Sequence, residues 1–357
     1  MISYIKERRK KILLKAEELG FKQVLVTGVE NIYYFTGFWG GGYLLLTQDG
    51  TRLFTGLLEK NRASENSFDT EVVCTPLGET VFSLLKQYVS GKLLVDEVPF
   101  TVKERLEKNL NVSLAVEPKI FYGLRRIKDE YEVSLLKEAS KRVDMLYELS
   151  TKIIREGLSE REVASRIVGE AIGLGLDTPY VNTDFTPIIV ASGPNSSFPH
   201  AQVSDRMLRH GDAVKLDFFF RYKGYVSDET RTFVLGRASS EFKHVYESVL
   251  LAQEEGVRAM AAGVKTGEVD SICRKLIGER GYGEYFIHGT GHGVGLEVHE
   301  PPTLSVNQSE LLELGNVVTV EPGVYIPKRF GVRIEDTVYV GERVECLTNF
   351  TKELIEL

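Results

Sequence analysis

Apolar residues along the chain recur with two different periods, and the two periods alternate. Residues 1–20, MISYIKERRKKILLKAEELG, have helical spacing and stop at Gly20, a residue suited to the left-handed position that closes a helix. Strand-like runs follow at 23–27, 43–47, 52–55, 71–74 and 92–96, with helical patterns between them at 57–67 and 80–90. This alternation predicts an α/β domain over residues 1–123, with the boundary near Gly123, where loop-like sequence gives way to a long helix. That helix runs from 128 to about 156; Val133, Leu136, Val143, Leu146 and Leu149 mark its buried face and Gly157 its stop. Ser159 opens another, with Glu162 completing a capping box. Long strands then alternate with helices at 240–262 and 268–279, within a second domain of residues 124–357.

Composition narrows the class. A chain of 357 residues exceeds one ordinary core, and 43% hydrophobic with 27% charged residues is a globular balance. The net charge of −7 argues against a nucleic-acid partner, which calls for a basic face. Cys74, Cys273 and Cys346 are odd in number and far apart, so reduced thiols are expected. The basic N-terminus has only Ile12-Leu13-Leu14 as an apolar run, too short for a signal-peptide core. No stretch nears the roughly 20 apolar residues of a membrane span, so a cytoplasmic protein away from membranes is expected.

The chemistry begins at Ala213. The run AVKLDFFFRYKGYVSDETRTFVL reads as a hairpin with its turn at Tyr222–Lys223 and Gly224 adjacent. A hairpin centred between 222 and 223 sets Asp217 directly opposite Asp228, with Cβ atoms about 4.5–5.5 Å apart. Flanked by Leu216, Phe218 and Phe219, such a pair is buried; one carboxylate takes up a proton, or a cation sits between them. The pattern repeats in VVTVEPGVYIPKRFGVRIEDTVYV, where Glu321 and Glu335 pair about Lys328. HGTGHGVGLEVHE adds His288, His292 and His299 beside four glycines, which let backbone approach a site closely. Four carboxylates with His292 make a hard, oxygen-rich set suited to Mn²⁺, Co²⁺, Fe²⁺ or Zn²⁺, with charge enough for two such ions.

These motifs resemble the pita-bread metallopeptidases, which include aminopeptidase P, prolidase and methionine aminopeptidase. LDFFF, GYVSDETRT, HGTGHGVGLEVHE, VEPGVY and GVRIEDT carry the likeness in the C-terminal half, NIYYFTGF and GLRRIKDEYEVSLLKEAS in the rest. The resemblance implies an α/β N-terminal domain followed by an α+β catalytic domain with a curved, largely antiparallel sheet. It makes Asp217 a terminal ligand of one metal, Asp228 and Glu335 bridges, and His292 with Glu321 the ligands completing the other. It also places His200 (in FPHA), His288 and His299 around substrate, and Arg333 behind the metal ligands.

The implied reaction is hydrolysis of an Xaa-Pro bond. Two divalent ions, Mn²⁺ or Co²⁺ first, bridge a water and lower its pKa to give a hydroxide nucleophile. His200 and His299 steady the intermediate, and Glu321 moves the proton to the leaving nitrogen. Proline lacks the N–H that general peptidases grip, so peptides with proline second form a separate substrate class. Dipeptide-specific relatives carry an arginine just beyond the HE motif; here HEPPTLS has Thr303. That departure leans the expectation toward an Xaa-Pro aminopeptidase, with a prolidase-type dipeptidase as the alternative and a non-catalytic binding module a third reading. The resemblance further implies a homodimer.

Overall fold

Gly20 closes the first helix, Ile2–Glu18, at φ +81°, a backbone conformation that only glycine adopts without strain. The computed structural model describes residues 1–178 and 188–357 and divides into two units, Met1–Arg125 and Arg126–Leu357. In the first, six strands form one mixed sheet in the order Glu71–Cys74, Gly50–Thr55, Tyr43–Thr47, Val24–Val26, Lys92–Val95, Ser113–Val116. The five strand runs read from the sequence are all present; Ser113–Val116 is additional, as are helices Val29–Thr36, Phe100–Leu110 and Pro118–Arg126. Gly123 lies inside the last of these, not in a loop. A glycine costs a helix about 1 kcal/mol, and burial of Phe121 and Arg125 on one face outweighs that. The predicted helices at 57–67 and 80–90 shorten to Lys60–Asn66 and Val81–Leu85.

The second unit starts with helix Glu130–Ile153, entered through a reciprocal Asp129–Glu132 capping box. The Ser159–Glu162 box read from the sequence opens helix Glu160–Gly173. Strands Ile188–Ser192, Ala213–Tyr222 and Tyr225–Val234 form an antiparallel sheet. A five-stranded antiparallel sheet has the order Glu300–Leu304, Gly291–Gly293, Val317–Val320, Asp336–Val340, Val344–Cys346, and Gly323–Ile326 pairs with Phe330–Arg333.

Strand alternation separates core from site. Val214, Leu216, Phe218 and Phe220 pack with Val143, Leu146 and Tyr147 of the long helix, and Tyr147 stacks on Phe218 at 4.4 Å. The residues between them, Lys215, Asp217 and Phe219, therefore project from the opposite face. Helices Ser240–Arg258 and Thr266–Glu279 likewise cover Val324, Ile326, Val332 and Ile334, leaving Arg333 and Glu335 on the other side. Helices clad the outside of the sheets, and the charges are gathered within. No helix among the described residues is long and apolar enough to cross a membrane.

Candidate metal centre

The first acidic pair is built differently from the sequence expectation. The hairpin is centred between Lys223 and Gly224, not between 222 and 223. Both turn residues have positive φ, +45° and +89°, as a two-residue primed turn requires, and Gly224 takes this up without cost. Moving the centre by one residue moves every partner by two. Asp217 thus faces Thr230, and Asp228 faces Phe219. A two-residue step preserves the face, so both carboxylates still project together, as diagonal neighbours instead of a direct pair.

The second pair keeps its expected centre at Lys328. Gly323 faces Arg333 in one ladder, and Val320 faces Asp336 in the next, both symmetric about 328. Glu321 and Glu335 fall in the break between the ladders. There the Glu321 amide donates to Thr290 O at 2.7 Å and the Glu335 amide to Thr230 O at 3.1 Å. The break frees both residues from a common ladder and ties each to a neighbouring element.

His292 sits opposite Thr303, with a bulge immediately after it. A Cβ on Gly291 would meet Thr319 O at 2.0 Å and one on Gly293 would meet Pro301 O at 2.4 Å, so the flanking glycines permit the close approach. His292 Nδ1 lies 3.1 Å from Gly293 O, which turns Nε2 inward, 3.1 Å from Glu321 Oε1 and 3.9 Å from Asp228 Oδ2. Ligand atoms of Asp228, His292 and Glu335 all fall within 4.8 Å of one another. Arg333 completes the cluster from behind, donating to Asp217, to Thr230 Oγ1 at 3.0 Å and to Tyr325 OH at 3.0 Å. Thr230 Oγ1 in turn donates to Glu335 Oε2 at 2.6 Å.

Electrostatics mark the cluster as unbalanced without a cation. Burial, with the charges of Asp217 and Glu321, pushes the Asp228 carboxyl far up; burial, then Asp228 and Glu321, does the same to Glu335. Burial opposes charge on His292, yet Glu321 and Asp228 outweigh it and raise the imidazole to about 9. The same hydrogen bond overcomes the burial of Glu321 and holds it at about 2. A buried Asp217 Oδ1 has no hydrogen-bond partner. Protons are therefore standing where positive charge is needed, and an unmet carboxylate oxygen remains. This donor set fits hard divalent cations.

A cavity of about 630 Å³ opens over the cluster, and His200, His288 and His299 line it with Ile189, Phe219 and Thr303. His288 is less free than its motif suggests: Nδ1 lies 2.7 Å from Gly289 O, and Nε2 lies 2.9 Å from Tyr325 OH. Burial, reinforced by Arg333, lowers it to about 4; burial and His292 lower His299 to about 4, and burial with Arg333 depresses His200. All three are neutral near pH 7 and can donate or accept. Lys215, Thr230, Thr319 and Tyr325 went unnoticed in the sequence. Lys215 could have been found, since it shares the Asp217 face at i, i−2; the others are identified only by cross-element contacts.

Comparison with known proteins agrees with this architecture. Residues 134–342 match the metallopeptidase family M24 and residues 8–127 the creatinase/prolidase N-terminal domain. An Xaa-Pro dipeptidase of Pyrococcus furiosus is 36% identical, over 98% of this chain and all of the relative. The structure of a prolidase from Pyrococcus horikoshii superposes with a TM-score of 0.91 at 35% identity, covering 98% of this chain and 100% of the other. An X-Pro aminopeptidase from Thermotoga maritima superposes with a TM-score of 0.89 at 30% identity, covering 98% and 99%.

Proposed function

The chain belongs to metallopeptidase family M24 and is a hydrolase of pita-bread fold, and from that premise we propose that it cleaves Xaa-Pro dipeptides. The observation that carries this reading is full-length similarity to Xaa-Pro dipeptidases combined with the five-residue acidic and imidazole cluster in one cavity. It departs from the sequence expectation of an aminopeptidase, since the relatives favour the dipeptidase alternative.

In this reading Asp217, Asp228, His292, Glu321 and Glu335 would hold two divalent cations, Mn²⁺ or Co²⁺ first and Zn²⁺ or Fe²⁺ next. Such ions polarise a scissile carbonyl and lower the pKa of a water. The protein's own groups do the rest. Arg333 neutralises and orients Asp217 through Oδ2, leaving Oδ1 without a hydrogen-bond partner. His292 would offer its Nε2 as a ligand, and the Gly293 carbonyl holds the ring's other nitrogen as donor. Glu321 moves the proton from water to the leaving nitrogen. His200 and His299, neutral and open to the cavity, hydrogen-bond the substrate carbonyl as charge develops on it. Tyr325 donates to His288 Nε2 and accepts from Arg333, which orients His288 at the cavity wall, where burial keeps it neutral.

A second reading, cleavage of longer Xaa-Pro-Yaa peptides, has one observation in its favour. Among the described residues lining the cavity, Arg333 is the only lysine or arginine, and it is committed to Asp217; Thr303 stands at the rim opposite His292. Metal-reconstituted protein assayed on matched Leu-Pro and Leu-Pro-Yaa peptides separates the two. Turnover confined to the longer peptides sinks the dipeptidase reading. The same proposal includes a cytoplasmic homodimer, which light scattering of the purified protein checks as to assembly.

A further inference from the structure

Lys215 is fully buried, yet it makes no hydrogen bond or ion pair to the carboxylates of the cluster described above. It precedes Asp217 by two residues on one strand and so projects from the same face. Its Nζ lies 3.2 Å from Ser196 O, 2.6 Å from Phe198 O and 3.1 Å from Pro199 O. An ammonium has three N–H donors and no acceptor, so these three carbonyls saturate it. Among the described residues no carboxylate forms an ion pair with it. A buried cation that meets three backbone carbonyls and the face of Tyr325, 5.0 Å from the ring centroid, but no carboxylate, is expensive to desolvate, and a methionine of similar length would fill the space. Packing alone therefore does not account for a lysine here.

The three carbonyls belong to the segment that ends in His200. Pro199 O, the last of them, also accepts from Arg333 Nη1 at 3.1 Å, and the same guanidinium grips Asp217. The segment's other end is held by an opposite charge. Glu160, also buried, accepts from Ser192 N at 2.6 Å, Asn195 Nδ2 at 2.8 Å, and Ser204 N and Oγ at 3.1 and 2.6 Å. A buried anion thus collects the donors of the loop, and a buried cation collects its carbonyls. His200 stands one bond beyond the carbonyl that Lys215 and Arg333 share.

We propose that Lys215 is a positioning residue: it fixes the backbone of 196–199 so that His200 is presented to the substrate in register with the Asp217 side of the metal cluster. This rests on the reading of His200 as a substrate contact. The expected result for Lys215→Met is a kcat lower by on the order of tenfold to a hundredfold, with KM and metal stoichiometry little changed. In a His200→Ala background the same substitution should change kcat by less than about threefold, because the group it positions is gone. Full multiplicative loss in the double variant overturns the proposal, since Lys215 would then act on something other than His200. Lys215→Gln, which keeps two donors on a shorter arm, should fall between parent and Lys215→Met, and serves if the methionine variant does not fold. Hydrogen exchange is the readout independent of turnover: peptides spanning 194–203 should exchange slowly in the parent and selectively faster in either variant. Fast exchange in the parent, or unchanged exchange in both variants, overturns the anchor. If the parent cleaves no Xaa-Pro peptide, the substrate reading fails on its own, and exchange alone then decides whether Lys215 holds the loop.

Discussion

Removing the metal and replacing Asp228 with asparagine should make the protein more stable at pH 8. The ligand atoms of Asp228 and Glu335 lie within 4.8 Å of one another. Two full negative charges at that separation repel by about 3 kcal/mol at an effective dielectric near 20. In the metal-free protein a retained proton relieves this repulsion, which is why both carboxyls are shifted upward after burial is taken into account. A carboxyl whose folded pKa exceeds its unfolded value holds its proton in the native state after the unfolded chain has released it. Stability then falls as pH rises. His292, raised to about 9, acts in the same direction between its unfolded value near 6.5 and that pH. His288 and His299, depressed to about 4, contribute stability that is lost as pH falls below about 6.5. Above that pH their contribution is constant. The window from pH 6.5 to 8 therefore removes these two histidines from the profile. Glu229, raised by burial, and Lys215, lowered by burial and acting in the opposite direction, are common to both proteins and cancel in the comparison. In urea denaturation, chelator-treated parent should lose stability relative to Asp228→Asn as pH rises across the window. Asp228→Asn should have a shallower slope and gain on the order of 1–3 kcal/mol at pH 8. Added Mn²⁺ should stabilise the parent most at the upper end, where protons no longer compete for the ligands, and the variant much less. Parallel profiles for the two proteins, or an asparagine variant less stable than the parent at pH 8, would refute the repulsive cluster.

Arg333→Met strands the Asp217 carboxylate in a buried setting and should cost about 3–5 kcal/mol in the metal-free protein; Arg333→Lys should rescue little, because one ammonium cannot reach Asp217, Thr230 and Tyr325 together. Loss of under 1 kcal/mol in urea titrations of Arg333→Met argues against that role. Tyr147→Phe removes a hydroxyl lying 3.0 Å from Leu216 O and 2.6 Å from Glu229 O behind the sheet, and should lower stability by about 1 kcal/mol while leaving kcat unchanged. A large kcat effect there would mean that the hydroxyl shapes the site through the strand. Thr303→Arg supplies a cation at the rim opposite His292, and should raise the ratio of dipeptide to tripeptide kcat/KM by roughly tenfold, about 1.4 kcal/mol. An unchanged ratio would show that position 303 does not select for a free carboxylate.

Much of this protein is legible without its fold. Helix starts and stops were readable where one side chain or one glycine decides them, as at Ser159 with Glu162 and at Gly20, because capping is local. The acidic residues, the histidine–glycine segment and the likeness they carry pointed to the metallopeptidase family. The helix around Gly123 was not readable, since burial of Phe121 and Arg125 overrides a poor local propensity. The hairpin register was missed by one residue at the turn, because Lys223 accepts a positive φ that its residue type disfavours. The face of each carboxylate survived that error, for side chains alternate with period two and the slip moved partners by two.

What the sequence by itself determined, then, is which residues carry the charge and which face of each strand they occupy. Only the tertiary structure decided how those faces meet: that Glu321 and Glu335 sit in a break between two ladders, that Thr230 bridges Arg333 and Glu335, and that Lys215 takes the carbonyls ahead of His200. The reason is separation along the chain. Propensity, capping and alternation act over a few residues, whereas Asp217 and Arg333 are 116 residues apart and meet only because two hairpins distant in the chain pack their acidic faces together.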